Sequence, residues 1–287
     1  MSLTPTHRVA TLPFRLAAHG LAAPTALKLG AAISLAWLFL AVAAPLIAPY
    51  DPIAQDLGQT LRHPSLAHWL GTDNFGRDVL TRIIWGARLD LAMGLLGVIV
   101  PFILGSAVGL VAGYFGGIVD TLLMRLLDIT ISFPFFVLVI AIISVLGAGL
   151  ISFFIAVSLV GWVSYARLIR GQTLVLKHSD FVLAARNLGY GRLRIMARHI
   201  LPNAVLPAIV FSMSDVVLTI LLGSSLSYLG LGVQPPAAEW GVMIAEGQTF
   251  LASAWWISFF PGLAIVTLAL GFSLLADGLA ETLGIRE

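Results

Sequence analysis

Residues Ile129–Ala166 read "ITISFPFFVLVIAIISVLGAGLISFFIAVSLVGWVSYA", 38 residues without a charge. About 20 apolar residues of helix cross a bilayer, so this run is too long for one span and long enough for two. Gly147-Ala148-Gly149, near its middle, supplies a tight turn. We therefore read two helices joined there. That choice makes the number of spans even and puts both ends of the chain on the same side.

The remaining spans follow outward from this pair. Leu29–Tyr50 supplies the first, Leu91–Val119 the second, Ala204–Leu229 the fifth and Trp255–Ala276 the sixth. Composition agrees, since 59% of the 287 residues are hydrophobic and only 10% are charged. Soluble domains carry about 25% charged residues, so this chain cannot cover a water-facing surface. The expected class is an all-α membrane protein with six transmembrane helices. Within the first run, "AVAA" at Ala41–Ala44 resembles a signal cleavage site. The run spans 22 residues, however, and a signal core has about 7–15. We read an uncleaved anchor helix.

Lysine and arginine counts orient the bundle. With the N-terminus inside, the inner segments hold Arg8, Arg15, Lys28, Arg125, the seven basic residues from Arg167 to Arg198, and Arg286, twelve of sixteen. The first outer loop holds the other four, Arg62, Arg77, Arg82 and Arg88. The expected topology is N-in and C-in. It divides the chain into a cytoplasmic tail over 1–28, a first transmembrane helix over 29–50 and an extracytoplasmic loop over 51–88. A transmembrane core over 89–277 contains a cytoplasmic loop at 167–203, and a cytoplasmic tail closes the chain over 278–287.

The outer segments carry further patterns. Val79, Leu80, Ile83, Ile84 and Ala87 recur at helical spacing, which predicts an amphipathic helix on the membrane surface ahead of the second span. "GLGVQPPAAEWGVMIAEGQ", between the fifth and sixth spans, reads as an ordered loop without a regular element. Within the second span, Gly105, Gly109 and Gly113 fall every four residues on one face, a spacing that lets another backbone approach closely. Asp215 is the one acidic residue well inside a predicted span. A carboxylate there costs about 2.5–3.5 kcal/mol on insertion scales. It either meets a cationic group on a passing solute or is satisfied by Ser212, Ser214 or a neighbouring helix. Arg125 and Asp128 are spaced for a local ion pair.

Catalytic and cofactor signals are missing from the sequence. With no cysteine there is no thiolate nucleophile, thiolate metal site or disulfide. The six histidines make no HExxH pair, no GxSxG elbow occurs, and "GYGRLR" at Gly189 lacks the pattern of a phosphate-binding loop. No cofactor and no metal is expected in this chain. Work against a gradient would need an energy source elsewhere.

The stretch "KHSDFVLAARNLGYGRLRIMARHILPN" is the largest inner loop and the densest in charge. Ser179 or Asp180 can cap a first helix, and Gly189 can end it in a left-handed conformation. A second helix runs from about Arg192 to Ile200, with Pro202 after it. Phe181, Ala184, Ala185 and Leu188 make a small apolar face suited to a partner's groove. The arginines suit anionic headgroups or an acidic rim on that partner. A nucleic-acid role is unsupported, because the patch has no aromatic stacking set and is tied to a membrane face.

This loop resembles the EAA loop of ABC importer permeases, in which E-A-A is followed by a glycine and then by I-x-L-P. Ala184 and Ala185 match the alanines, Gly189 the glycine, and Leu201 and Pro202 the closing pair. Leu183 stands where the glutamate would be and His199 where the isoleucine would be. "HWLGTDNFGRDVLTRIIWGAR", "LMRLLDITISFPFF", "RHILPN" and "LSYLGLGVQPPAAEWGVMIAEGQ" are similar to the peptide/nickel group of these permeases, and within it to the C-type subunit of dipeptide and oligopeptide importers. The likeness covers nearly the whole chain after residue 28. The C-terminal "LLADGLAETLGIRE" matches only in part.

The resemblance implies a type I importer permease (MetI-like) fold in a bacterial inner membrane. It implies a heterodimer with a second permease subunit, two cytoplasmic ATPases carrying ATP and Mg, and an extracytoplasmic substrate-binding protein. Ala184, Ala185, Leu188 and Gly189 would form the coupling contact, and Leu201-Pro202 would join it to the fifth span. The cargo would be a dipeptide or oligopeptide, with nickel or glutathione as alternatives in the same group. A secondary transporter or channel is the alternative from another class.

Overall fold

The computed structural model describes residues 24–284. Arg8, Arg15 and Arg286, which contributed to the charge count, lie outside the described residues.

Helix α1 covers Thr25–Ile47 and α2 Val79–Phe115. α3 (Gly117–Ile131) and α4 (Phe135–Leu146) meet at a bend of 83°, and α5 covers Leu150–Leu176. α6 spans Asp180–Asn187, α7 Arg192–Ile195, α8 Leu201–Ala204 and α9 Leu206–Tyr228. α10 is Trp240–Gly247 and α11 Trp256–Leu283. Five of these helices are long and apolar enough to cross a bilayer, and α3 with α4 passes the same test when the bent pair is counted as one span, which brings the number to six.

The physical cause of the bend lies in the sequence. Pro134 has no amide hydrogen to donate and disfavours helical geometry at Phe133. The chain leaves the helix at Ser132-Phe133 and re-enters it with Pro134 as N-cap of α4. Gly147 and Gly149 then make the turn into α5 with φ of 92° and 147°.

Two seams hold the bundle. α2 and α5 run parallel, with Gly105 against Trp162 and Tyr165, Gly109 against Ala166 and Arg170, and Gly113 against Thr173. α1 and α11 run antiparallel, with Gly30 packed on the backbone of Gly271 and Leu275, and Gly278 on Leu27. A hydrogen bond from Trp37 Nε1 to Thr267 Oγ1 of 3.2 Å crosses this second seam. In a bilayer, helix association rests on such close packing because lipid is as apolar as the side chains. The outward rows stay apolar, as in Leu96, Ile99, Ile103 and Leu104 of α2.

Three expectations change on folding. Residues 79–88 make no separate surface helix, because Asp78 caps Thr81 N and α2 runs unbroken from Val79 into the second span. Val79, Ile83, Ile84 and Ala87 are all buried by protein. The segment after Pro235-Pro236 does contain a regular element, α10, whose first amides at Gly241 and Val242 are accepted by the Glu239 carboxylate. Among the described residues, Arg125 and Asp128 make no ion pair, and both are exposed on α3.

Candidate coupling surface and membrane-embedded polar sites

The two ends of the bundle differ in chemistry. One gathers the 51–78 segment, α10 and the start of α11. The other gathers the ends of α2 and α5 with α6 and α7.

At the basic end α6 ends in a Schellman motif. Gly189 (φ 81°) donates to Arg186 O at 2.9 Å and Tyr190 to Ala185 O at 3.1 Å, the pairing that satisfies a helix's last carbonyls. The start is capped differently from the expectation, since Ser179 occupies the N-cap but its hydroxyl donates to Leu176 O. The matched alanines divide. Ala185 is 3% exposed and joins Val182, Ile195, Met196 and Ile200 in one buried cluster. Ala184 is exposed beside Phe181 and Leu188, the latter 72% exposed. The outward face of α6 is therefore Phe181, Ala184 and Leu188, while Ala185 holds the helix to its own chain. Leu183 also points outward, so an apolar group is presented where the motif has a carboxylate.

Pro202 does not end the second helix. Between α7 and α8, Met196–Ile200 forms a π turn in which Leu201 N donates to Met196 O. The wider turn accommodates a proline that has no amide to donate and whose ring crowds the preceding turn. α7, the π turn, α8 and α9 thus follow one another with only Val205 between α8 and α9. Leu201 is half-buried and Pro202 exposed along this path.

Arg167 and Arg170 sit on α5 and not in a loop. Arg170 grips Asp120 of α3 through two bonds of 2.6 Å each, the fork geometry that arginine supplies. Lys177 donates to Gly113 O at 2.8 Å, a cation at the negative end of α2.

Inside the bundle Asp215 accepts a 2.7 Å hydrogen bond from the Tyr165 hydroxyl. Phe102 and Phe211 pack edge-on against that ring at 5.4 and 5.2 Å. The carboxylate thereby ties α9 to α5 at the helix that also carries the glycine seam. Asp215→Asn keeps an acceptor for Tyr165, so uptake and assembly are expected at wild-type level. Asp215→Leu strands a buried hydroxyl, which costs about 1–3 kcal/mol. Paired melting curves and uptake rates separate anchor from pathway. A loss of uptake in Asp215→Asn with an unchanged melting temperature would assign the carboxylate to a solute.

At the other end lies a buried ionic cluster that sequence reading missed. Arg77 Nε donates to Asp73 Oδ2 at 2.6 Å and its Nη2 to Glu246 Oε2 at 2.7 Å. Arg82 Nη2 donates to the same Glu246 oxygen at 3.1 Å, and Arg82 Nη1 reaches Pro52 O at 3.1 Å and Pro236 O at 3.4 Å. Both arginines are buried. The signal available in sequence was only that acids and arginines were spent in a chain with few charges. Nearby, Asp90 accepts from Ser224 Oγ at 3.1 Å and Trp240 N at 3.2 Å, which joins α2, α9 and α10. Burial pushes the Glu239 carboxyl up, opposed by the Gly241 and Val242 amides. The amides of Ile53 and Ala54 hold the exposed Asp51 carboxyl below its usual value. Among the described residues, no three His, Asp or Glu side chains are grouped to hold a metal ion.

Apolar spans, parallel and antiparallel glycine seams, and a basic helical loop at one end define a polytopic α-helical membrane protein. Residues 105–284 match the family described as binding-protein-dependent transport system inner membrane component, and the chain belongs to that family. It is 39% identical to the dipeptide transport system permease protein DppC of Alkalihalophilus pseudofirmus, over 88% of this chain and 84% of that one. It is 40% identical to the glutathione transport system permease protein GsiD of Pectobacterium atrosepticum, over 86% and 83%. The probable D,D-dipeptide transport system permease protein DdpC of Escherichia coli is 39% identical over 88% and 85%. The fold is similar to that of the inward-facing methionine ABC transporter MetNI, with a TM-score of 0.55 at 19% identity, covering 71% of this chain and 95% of that one.

Proposed function

We propose that this chain is one of two different permease subunits of an ATP-driven importer for dipeptides or oligopeptides, oriented N-in and C-in. Two cytoplasmic ATPases, which carry the ATP and Mg, dock on the basic end. An extracytoplasmic binding protein delivers cargo to the other. The observation that carries this reading is the outward face of α6. Phe181, Ala184 and Leu188 are exposed on a short helix whose other side, Val182 and Ala185, is locked into the chain. A rigid apolar knob of this kind suits a groove on a partner, and α7 through α9 continue from it into a membrane span. ATP-driven closure of the ATPases would move α6 and tilt α9 against α2 and α5, so that access alternates between the two sides.

The relatives' names support peptides as cargo, and the likeness to a glutathione permease supports a short peptide with an unusual linkage as the second reading. Purification of the intact assembly, reconstitution in liposomes and uptake of labelled dipeptide against labelled glutathione tests both. Uptake is expected only with ATP and the partner ATPases. Uptake that persists without them would establish a secondary transporter or channel instead.

Within the coupling helix the positions should behave differently. At Gly189 no atom lies within 4 Å of an added side chain, so the cost of substitution is conformational. A left-handed backbone costs an ordinary L-residue about 1–2 kcal/mol and asparagine less. Gly189→Val is expected to uncouple ATP hydrolysis from uptake at normal membrane levels, with Gly189→Asn close to wild type. Leu188→Glu should lower ATPase co-purification without changing the melting temperature, whereas a bulky residue at Ala185 should lower both. Equal behaviour of the Leu188 and Ala185 variants would refute the division of faces.

A further inference from the structure

A cavity of about 530 Å³ opens at the basic end, between the last residues of α2, Tyr114 and Phe115, and the loop residues Arg186, Tyr190, Arg192 and Ile195. Its volume lies in the range of small-molecule sites, ~300–1,000 Å³. No carboxylate lines it, and among the described residues neither Arg186 nor Arg192 has an acidic partner within 4.0 Å. Two guanidiniums without a counter-charge call for an anion, and their planar fork matches phosphate oxygens.

The cavity's position points to where that anion comes from. Tyr114 and Phe115 end a membrane span, the level at which aromatic side chains meet the headgroup layer. Directly beyond Gly116 the chain enters α3, whose row Ile118, Leu122 and Leu126 is exposed, Ile118 at 79%. The cavity therefore has a cationic wall on the loop side and an aromatic wall at the end of a membrane span, and the exposed apolar row of α3 begins three residues past Phe115. That is the shape of an amphiphile. The wall is also built firmly. Tyr190 has the Arg194 guanidinium 4.2 Å over its ring and is stacked with His199 at 5.7 Å, and its amide is held by Ala185 O.

We propose that this cavity binds the phosphodiester headgroup of an anionic phospholipid, such as phosphatidylglycerol. Basic pockets between membrane helices on the cytoplasmic side are known to bind anionic lipid headgroups. With no acid to receive an ammonium, a zwitterionic headgroup leaves its cationic part unmatched. A free phosphate leaves the aromatic wall unused. A bound headgroup braces Gly191–Ile195 against α2 and so sets the position of α6. The proposal needs the chain to be in a membrane but does not depend on its cargo.

The test uses the full chain in nanodiscs of phosphatidylglycerol or of phosphatidylcholine, extracted gently and weighed by native mass spectrometry. Wild type is expected to retain phosphatidylglycerol selectively. Arg186→Gln/Arg192→Gln should retain on the order of tenfold to thirtyfold less, while Arg125→Gln, on α3 away from the cavity, should match wild type. Equal retention in the double variant and wild type overturns the proposal. So does loss of ATPase co-purification in the double variant with lipid retention unchanged, which would assign the arginines to the partner. Protection of wild type by millimolar inorganic phosphate, with no preference between the two lipids, overturns the lipid as source. If the double variant fails to accumulate, a photoactivatable phosphatidylglycerol decides on wild type. Crosslinks at 114–115 or 186–195 support the site, and crosslinks only elsewhere refute it.

Discussion

Arg82→Ala is expected to lower stability by about 3–5 kcal/mol, the cost of removing one partner from a buried ion pair. The guanidinium is fully buried, and it touches Glu246, Pro52 O and Pro236 O at 3.1–3.4 Å with Asp73 at 3.6 Å. Its loss leaves Glu246 and Asp73 with Arg77 alone and strips two backbone carbonyls of a donor. Arg82→Lys should recover only part, because one ammonium nitrogen cannot span the separate acceptors that Nε, Nη1 and Nη2 of the guanidinium face. The cluster binds sequence neighbours of α2 to α10 across more than 150 residues, so its failure should release α10 and the 51–78 segment together. Melting of detergent-solubilised protein checks the magnitude. The double change Arg82→Leu/Glu246→Leu should cost less than the two single changes summed, because it leaves no unpaired charge between them. An Arg82→Ala chain melting with wild type would mean that the cluster contributes nothing.

Gly109→Leu should have the second large effect, a chain that fails to accumulate in folded form. A Cβ at Gly109 would meet the Ala166 carbonyl oxygen, and Arg170 N lies 2.9 Å away. These are backbone atoms of α5 and cannot swing aside, so the helices themselves must part. Gly109→Ala, a single methyl, is expected to cost about 1–3 kcal/mol and to weaken the neighbouring contacts at Gly105 and Gly113. The control lies on α5. Gly171 has nothing within 4 Å of an added Cβ, so Gly171→Ala should be neutral or gain up to about 1 kcal/mol of helix propensity. Membrane-fraction abundance and melting temperature of the three variants settle it. A Gly109→Leu chain as abundant as wild type would remove the seam from the account of the fold.

What was legible beforehand follows from how local each signal is. The split at Gly147-Ala148-Gly149 was readable because glycine punctuates an apolar run whose length exceeds one span. The break at Phe133-Pro134, only fifteen residues earlier in the same run, was overlooked because apolar composition continues across it. Continuity of α2 through residues 79–88 was hidden for a related reason. A helical period of Val79, Ile83, Ile84 and Ala87 fits burial against lipid and burial against protein equally well. α10 was hidden behind prolines, and its start depends on the Glu239 carboxylate reaching the amides of Gly241 and Val242.

The loop that carries α6 shows the same limit within one helix. Spacing put Phe181, Ala184, Ala185 and Leu188 together as one face, because 3.6-residue periodicity groups them. Only packing shows that Ala185 turns inward to Val182 and Ile195. Similarly, Arg170 counted as one more inner positive charge, yet it is held by Asp120 fifty residues away.

The sequence by itself determined that this is an all-helical membrane protein with several apolar spans, and that one connecting loop is basic and ends its first helix at Gly189. Those properties depend on hydrophobic length, charge and the conformational needs of single residues, all of which act over a few neighbours. The tertiary structure alone decided which charges are buried and with whom, which alanine faces outward, and that Asp215 meets Tyr165. Those depend on pairs up to 169 residues apart, Arg77 with Glu246 being the widest of the ionic contacts, and such pairing is set by how the helices pack, which no local pattern records.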